Sequence, residues 1–132
     1  MNVAILDTSI LLLVAKRELN LDRILEQLAG LRAVATKPVV EELAKLSREH
    51  SERGRLASWL LETIVNNVVD VIEEDCHGDS FDDRILCTAE KLGAVVVTAD
   101  LEMAKKARRR GIKVAIFRRS KRGVEGPYNT FS

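Results

Sequence analysis

The stretch Val3-Ala4-Ile5-Leu6-Asp7-Thr8-Ser9 constrains this chain most. Four apolar residues, with β-branched Val3 and Ile5 among them, read as a short buried strand. The strand stops on an acid. Thr8 and Ser9 can cap a helix, and residues 10–15 continue it as a buried one. Asp7 therefore sits at the carboxyl end of a first strand, where an open α/β sheet places its ligand crevice.

The rest of the chain repeats the alternation. Helices are expected over 21–29 (capped by Asn20, stopped by Gly30), 38–49, 52–66, 82–92 and 100–111, and strands over 33–35, 68–72, 94–97 and 114–117. Residues 73–80 form an acidic loop. Apolar strands alternating with helices imply a parallel sheet covered on both faces, with right-handed crossovers and all strand carboxyl ends on one edge. Residues 1–119 form a single domain. Residues 120–132, containing Gly, Lys and Arg, are expected to be a frayed basic tail.

Length and composition narrow the class. A chain of 132 residues is one domain that buries roughly two thirds of its unfolded surface. No apolar run approaches the roughly 18 residues needed to span a membrane, and the N-terminus lacks the basic region of a signal peptide, so the expected location is the cytoplasm. Cys76 and Cys87 with His77 make a poor zinc set. In that compartment they are expected to be free or structural thiols rather than a bridge.

The net charge of +1 hides a segregation. Lys105, Lys106, Arg108, Arg109, Arg110, Lys113, Arg118, Arg119, Lys121 and Arg122 follow one another with no acid between them, whereas residues 73–83 carry six acids and no Lys or Arg. A basic flank beside an acidic centre suits a protein that holds a polyanion next to a cation site.

Each candidate acid has an innocent role. Asp7 and Asp100 are good N-caps, and Ser80-Phe81-Asp82-Asp83 fits a capping box. Glu42 is harder to explain away. In its helix Val39, Val40, Leu43 and Leu46 build the apolar face, and Glu42 lies roughly 90° from the centre of that face while Glu41 lies nearly opposite it. Taken jointly, Asp7, Glu42, Asp83 and Asp100 all fall near one sheet edge or at a helix start above it. Four carboxylates in one crevice repel strongly, and hard oxygen ligands in that number favour Mg²⁺ or Mn²⁺. With cations nearby for phosphates, the pattern describes metal-dependent phosphodiester hydrolysis. Competing α/β chemistries lack their parts. No Gly-rich turn follows the first strand, no second aspartate stands two residues after Asp7, and no nucleophile elbow occurs.

The segments Leu6-Asp7-Thr8-Ser9, Val39-Val40-Glu41-Glu42-Leu43, Asp83-Arg84-Ile85-Leu86-Cys87-Thr88-Ala89 and Val97-Thr98-Ala99-Asp100, in this order and at these spacings, resemble the PIN-domain ribonucleases over nearly the whole chain. The resemblance implies a three-layer α/β/α fold with a five-stranded parallel sheet of order 3-2-1-4-5. It implies Asp7, Glu42, Asp83 and Asp100 as metal-binding catalytic acids for Mg²⁺ or Mn²⁺, with Asp82 and Asp79 as further ligand candidates and Ser9 and Thr98 as supporting polar groups. The ten cations of 105–122 would grip RNA through its backbone, since aromatics for base stacking are nearly absent.

Within the family, the residues around Glu42 and the basic ending look more like the archaeal branch related to ribosomal-RNA-processing nucleases than like the toxins of toxin–antitoxin pairs. The expected function is a metal-dependent endoribonuclease in RNA processing. The alternatives are a toxin-type ribonuclease and a non-catalytic RNA-binding assembly factor. RNA is the expected partner, and a homodimer and a ribosome-assembly or antitoxin protein are compatible further ones.

Overall fold

The computed structural model describes residues 2–28 and 30–128. The elements run β1 (Val3–Leu6), α1 (Thr8–Ala15), α2 (Leu21–Gln27), β2 (Arg32–Ala35), α3 (Lys37–Ser47), α4 (Glu52–Thr63), β3 (Asp70–Val71), α5 (Phe81–Leu92), β4 (Val95–Thr98), α6 (Leu101–Arg109), β5 (Val114–Arg118), a 3-10 turn (Arg119–Lys121) and β6 (Gly123–Tyr128). The sheet order is β3-β2-β1-β4-β5-β6. The first five strands in that order are parallel, as expected, and β6 is antiparallel to β5.

The apolar runs explain the centre of the sheet. Every residue of β1 and β4 is buried, and Ile5 stands in register between Val34 and Val96. Such strands need cover on both faces. Helices α1, α3, α4 and α5 pack on one another, while α6 lies on β4 and β5 and α2 on β6. Ile10, Leu11, Leu43, Leu60, Ile85, Leu86 and Met103 are the large helical side chains buried against the sheet, each stabilising the fold by roughly 1.5–3 kcal/mol. Among the described residues no helix is long and apolar enough to cross a membrane.

Three expectations are corrected. First, the segment expected to fray from residue 120 is structured through Tyr128, and only 129–132 lie outside the described residues. Its composition hid an edge strand, a position where Pro127 is tolerated. Val124 is buried and its N–H donates to Gln27 Oε1 at 2.9 Å. Glu125 pairs with Arg118 at 3.2 Å and Lys121 at 2.9 Å. Gly123 lies close under the same side chain, where a Cβ would come within 2.6 Å of Gln27 Oε1 and displace the end of that side chain.

Second, the expected strand over 68–72 shrinks to the two residues of β3, which pair only with Val34 and Ala35. Asn66, at φ +69°, turns the chain just before it, and Val68 is left 54% exposed. Third, Cys76 and Cys87 are bridged, with 5.9 Å between their Cα atoms. The expectation of free thiols rested on compartment. Geometry overrides it, because the loop after β3 folds back along α5.

Candidate active site

Asp7 follows β1 directly, and its N–H donates to Val97 O at 3.1 Å, which ties it to β4. Its carboxylate is 5% exposed. Oδ1 accepts from the Ile10 N–H at 3.1 Å, capping α1, and from the Ser9 hydroxyl at 2.6 Å. Oδ2 accepts from the Thr98 hydroxyl. Thr98 in turn accepts from the Asp100 N–H at 3.0 Å, and Ser9 accepts from the Ala99 N–H at 3.0 Å. Capping and site-building are thus one arrangement. Ser9 and Thr98 bind the two central strand ends to the same carboxylate.

Around Asp7 opens a cavity of about 170 Å³ lined by Thr8, Ser9, Leu12, Glu42, Arg53, Asp82, Ile85 and Asp100. Glu42 comes from the inner border of α3 and accepts from the Thr8 hydroxyl. Asp100 caps α6 with one oxygen, Oδ1, which accepts from Glu102 N–H at 2.9 Å and Met103 N–H at 3.3 Å. From the acidic start of α5 it is Asp82 that lines the cavity. Asp83 is turned toward the preceding loop, where its Cβ is 3.0 Å from the point a Cβ on Gly78 would occupy, and its N–H donates to the cap Ser80 Oγ at 3.1 Å. Asp79 is exposed in that loop and does not line the cavity.

The electrostatics follow from burial. Desolvation pushes the Asp7 carboxyl up to about 6 from 3.8, against the lowering effect of its hydrogen bonds from Ser9, Thr98 and Ile10. Asp82 is also raised, by desolvation first and then by Asp100 and Asp83, with Lys106 opposing. Residues beside these behave oppositely. Arg84 on α5 binds Glu41 at 2.6 Å and Asp75 at 2.6 Å, and holds both carboxyls below their usual values.

The expected RNA-binding cations are dispersed. Lys105 pairs with Glu102, Arg110 with Glu90, Arg118 and Lys121 with Glu125, and Arg119 with Glu18. Among the described residues, Lys106, Arg109, Lys113 and Arg122 make no ion pair, and Lys106 stands near enough to Asp82 to lower it. Residues not singled out by sequence are Thr8, Arg53 and the Arg84 clamp. Thr8 was legible as a cap only, and nothing local to Arg53 marks it, since it faces the cavity through tertiary packing.

The donor set suits a hard divalent cation. Four carboxylates and the Thr8, Ser9 and Thr98 hydroxyls supply oxygen only, and a cation would relieve the repulsion that burial imposes. Among the described residues no three acids are already gathered tightly enough to hold an ion. Glu42 is engaged by the Thr8 hydroxyl instead, so loading requires it to give up that partner.

Comparison with known proteins agrees with this fold. Ribonuclease VapC9 of Archaeoglobus fulgidus is 28% identical over 119 residues, covering 90% of this chain and 85% of that protein. The PIN domain endonuclease Utp24 has a TM-score of 0.65 at 19% identity, over 96% of this chain and 87% of that one. VapBC-1 from nontypeable Haemophilus influenzae has a TM-score of 0.58 at 18% identity, over 86% of this chain and 97% of that one. At such identities the two structures speak for the fold alone. A family model described as a PIN like domain matches residues 4–120, and the chain belongs to that family.

Proposed function

We propose that the chain is a Mg²⁺- or Mn²⁺-dependent endoribonuclease that hydrolyses phosphodiester bonds of RNA at the Asp7 cavity. The observation that carries the reading is the convergence of Asp7, Glu42, Asp82 and Asp100 on one cavity of about 170 Å³. Four carboxylates around one small cavity, with Asp7 buried and Glu42 and Asp82 half-buried, repel one another unless a cation lies between them. A relative 28% identical to this chain is itself a ribonuclease, which supports catalysis over a purely binding role. A cytoplasmic setting belongs to the proposal, and intracellular proteins of heat-adapted organisms do carry structural disulfides.

A bound divalent cation would lower the pKa of an attacking water and withdraw charge from the phosphate oxygens. The chain's residues supply the rest. Asp7 is fixed by three donors and cannot swing away, so it provides the rigid floor. Asp100 anchors α6 through Oδ1, and Oδ2 takes no part in that cap. Glu42 and Asp82, on two separate helices, close the sides. Lys106 beside Asp82, with Arg109 a turn further on, offers charge for the flanking RNA backbone.

A role in ribosomal-RNA maturation drew its support from the basic ending. Among the described residues, acids of the same chain engage at least half of those cations, which weakens that support. A toxin-type ribonuclease stands beside it, and both share the reaction proposed here.

The deciding experiment is cleavage of a labelled structured RNA with EDTA, Mg²⁺ or Mn²⁺, comparing wild type with Asp7→Asn. Cutting is expected only with metal, and should fall by more than about 100-fold in the variant while RNA binding persists. If both proteins bind RNA and neither cuts it, the non-catalytic assembly-factor reading replaces this one.

A further inference from the structure

We propose that Arg53 is the anion-binding arm of the cavity, its guanidinium contacting the phosphate that is hydrolysed there. The inference rests on the endoribonuclease reading and adds a residue to it. Arg53 is the one cation among the side chains lining a cavity whose other charged groups are all acids. Yet among the described residues it makes no ion pair, although Asp7, Glu42, Asp82 and Asp100 line the same space. Arg84 shows the contrast. It faces two acids and binds both. A guanidinium that borders an acidic cavity without collapsing on its acids keeps its donors free for a group placed between. Its planar fork matches two phosphate oxygens.

The base of this side chain is fixed. Ser51 caps α4, its Oγ accepting from the Gly54 N–H at 3.1 Å. Gly54 is pressed on the end of α3, where a Cβ would lie 2.1 Å from Glu49 O. Arg53 stands between that cap and that contact, so its Cα is held although its side chain is exposed. Hydrolysis forms one P–O bond from water and breaks one to the leaving ribose oxygen, which takes up the proton the water gives. Negative charge on the non-bridging oxygens peaks between those events. Arg53 answers it from the wall of the same cavity.

The test compares wild type, Arg53→Ala, Arg53→Lys and a control, Arg32→Ala, whose exposed side chain pairs with Asp70 at the amino end of β2. Single-turnover cleavage at saturating protein, Mn²⁺ affinity of the RNA-free protein by electron paramagnetic resonance, and RNA affinity against salt are measured for each. Arg53→Ala should slow cleavage by about 100- to 1000-fold, Arg53→Lys should restore part of it, and Mn²⁺ should bind as tightly as before or tighter. Cleavage within about threefold of wild type, or loss of Mn²⁺ in step with rate, overturns the inference and leaves the nuclease reading standing. If wild type cuts no RNA, that reading fails, and RNA binding decides. A salt slope reduced by about one in Arg53→Ala and not in Arg32→Ala sustains a phosphate contact, and equal behaviour of the two variants overturns it.

Discussion

Helices α3 and α5 carry two groups of acids side by side, and the fold treats them oppositely. Glu41 turns outward, and with Asp75 it receives both arms of Arg84. Glu42, one residue on, turns inward, accepts from the Thr8 hydroxyl and shares a cavity with three other acids and Arg53. On α5, Asp82 enters the cavity while Arg84, two residues later, serves the clamp. The clamp holds its carboxyls down, and the cavity pushes Asp7 and Asp82 up. A helical step of ~100° per residue therefore separates an acid held in an ion pair from an acid that lines the cavity. A carboxylate already held by a guanidinium has less to offer a cation than one bound only by a hydroxyl.

Asp7 carries the largest expected effect. Its folded carboxyl lies at about 6, against an ordinary value of 3.8. A raised value means the group's contribution is fully present below about pH 4 and is lost as pH rises through about 6. At ~1.4 kcal/mol per unit, Asp7→Asn in EDTA should be more stable than wild type by up to about 3 kcal/mol above pH 6, with no gain at pH 4. Thermal unfolding from pH 4 to 8 checks it, and a difference independent of pH would show that burial is not what strains this acid. Added Mg²⁺ should raise the melting temperature of wild type only.

The next effect belongs to the clamp side. The Cys76–Cys87 bridge closes a loop of eleven residues' separation, and its removal by the double substitution to Ser should cost about 2–3 kcal/mol in urea unfolding. The pH profile of Asp7 should be unchanged, since Ser80 still caps α5 and seats Asp82. A displaced profile would mean that the bridge, and not the cap, positions the cavity wall.

Much of this was legible in the sequence. The unbroken apolar runs of β1 and β4 announced central parallel strands, and Asp7 and Asp100 follow them because chain order alone fixes a strand's carboxyl end. Glu42 could be separated from Glu41 by helical phase. The choice between Asp82 and Asp83 turned on where α5 begins. It begins at Phe81, and each step of the start rotates the acids by ~100° about the helix. The edge strand β6 was hidden because Gly and Pro are ordinary in tails and are tolerated on sheet edges for a separate reason. The partners of Arg110, Arg118 and Arg119 lie 20, 7 and 101 positions away in the chain, so an acid-free run of sequence looked more basic than the folded surface is. Arg53 reaches the cavity only through the packing of α4 on α3 and α1, which no local pattern records.

Arg84 carries the smallest expected effect. Arg84→Met takes from Glu41 and Asp75 their shared ion-pair partner and leaves the smaller effect of Lys37. The loss should be on the order of 1–2 kcal/mol, limited by solvent screening because Glu41 is 52% exposed in that pair. Both carboxyls are held low by Arg84. Their contribution is therefore present above the unfolded values near pH 4 and is lost as pH falls through the lower folded ones. The gap between wild type and Arg84→Met should be widest at neutral pH and should close toward pH 3, the reverse of where the charge on Asp7 is tolerated. Urea unfolding at pH 3, 5 and 7 reads it directly. A gap that persists at pH 3 would assign the loss to the packed stem of Arg84 and remove the clamp from the account. A gap that closes would mean that Glu41 and Asp75 push stability with pH in the direction opposite to Asp7, the signature of one group built for the fold and one left open for a cation.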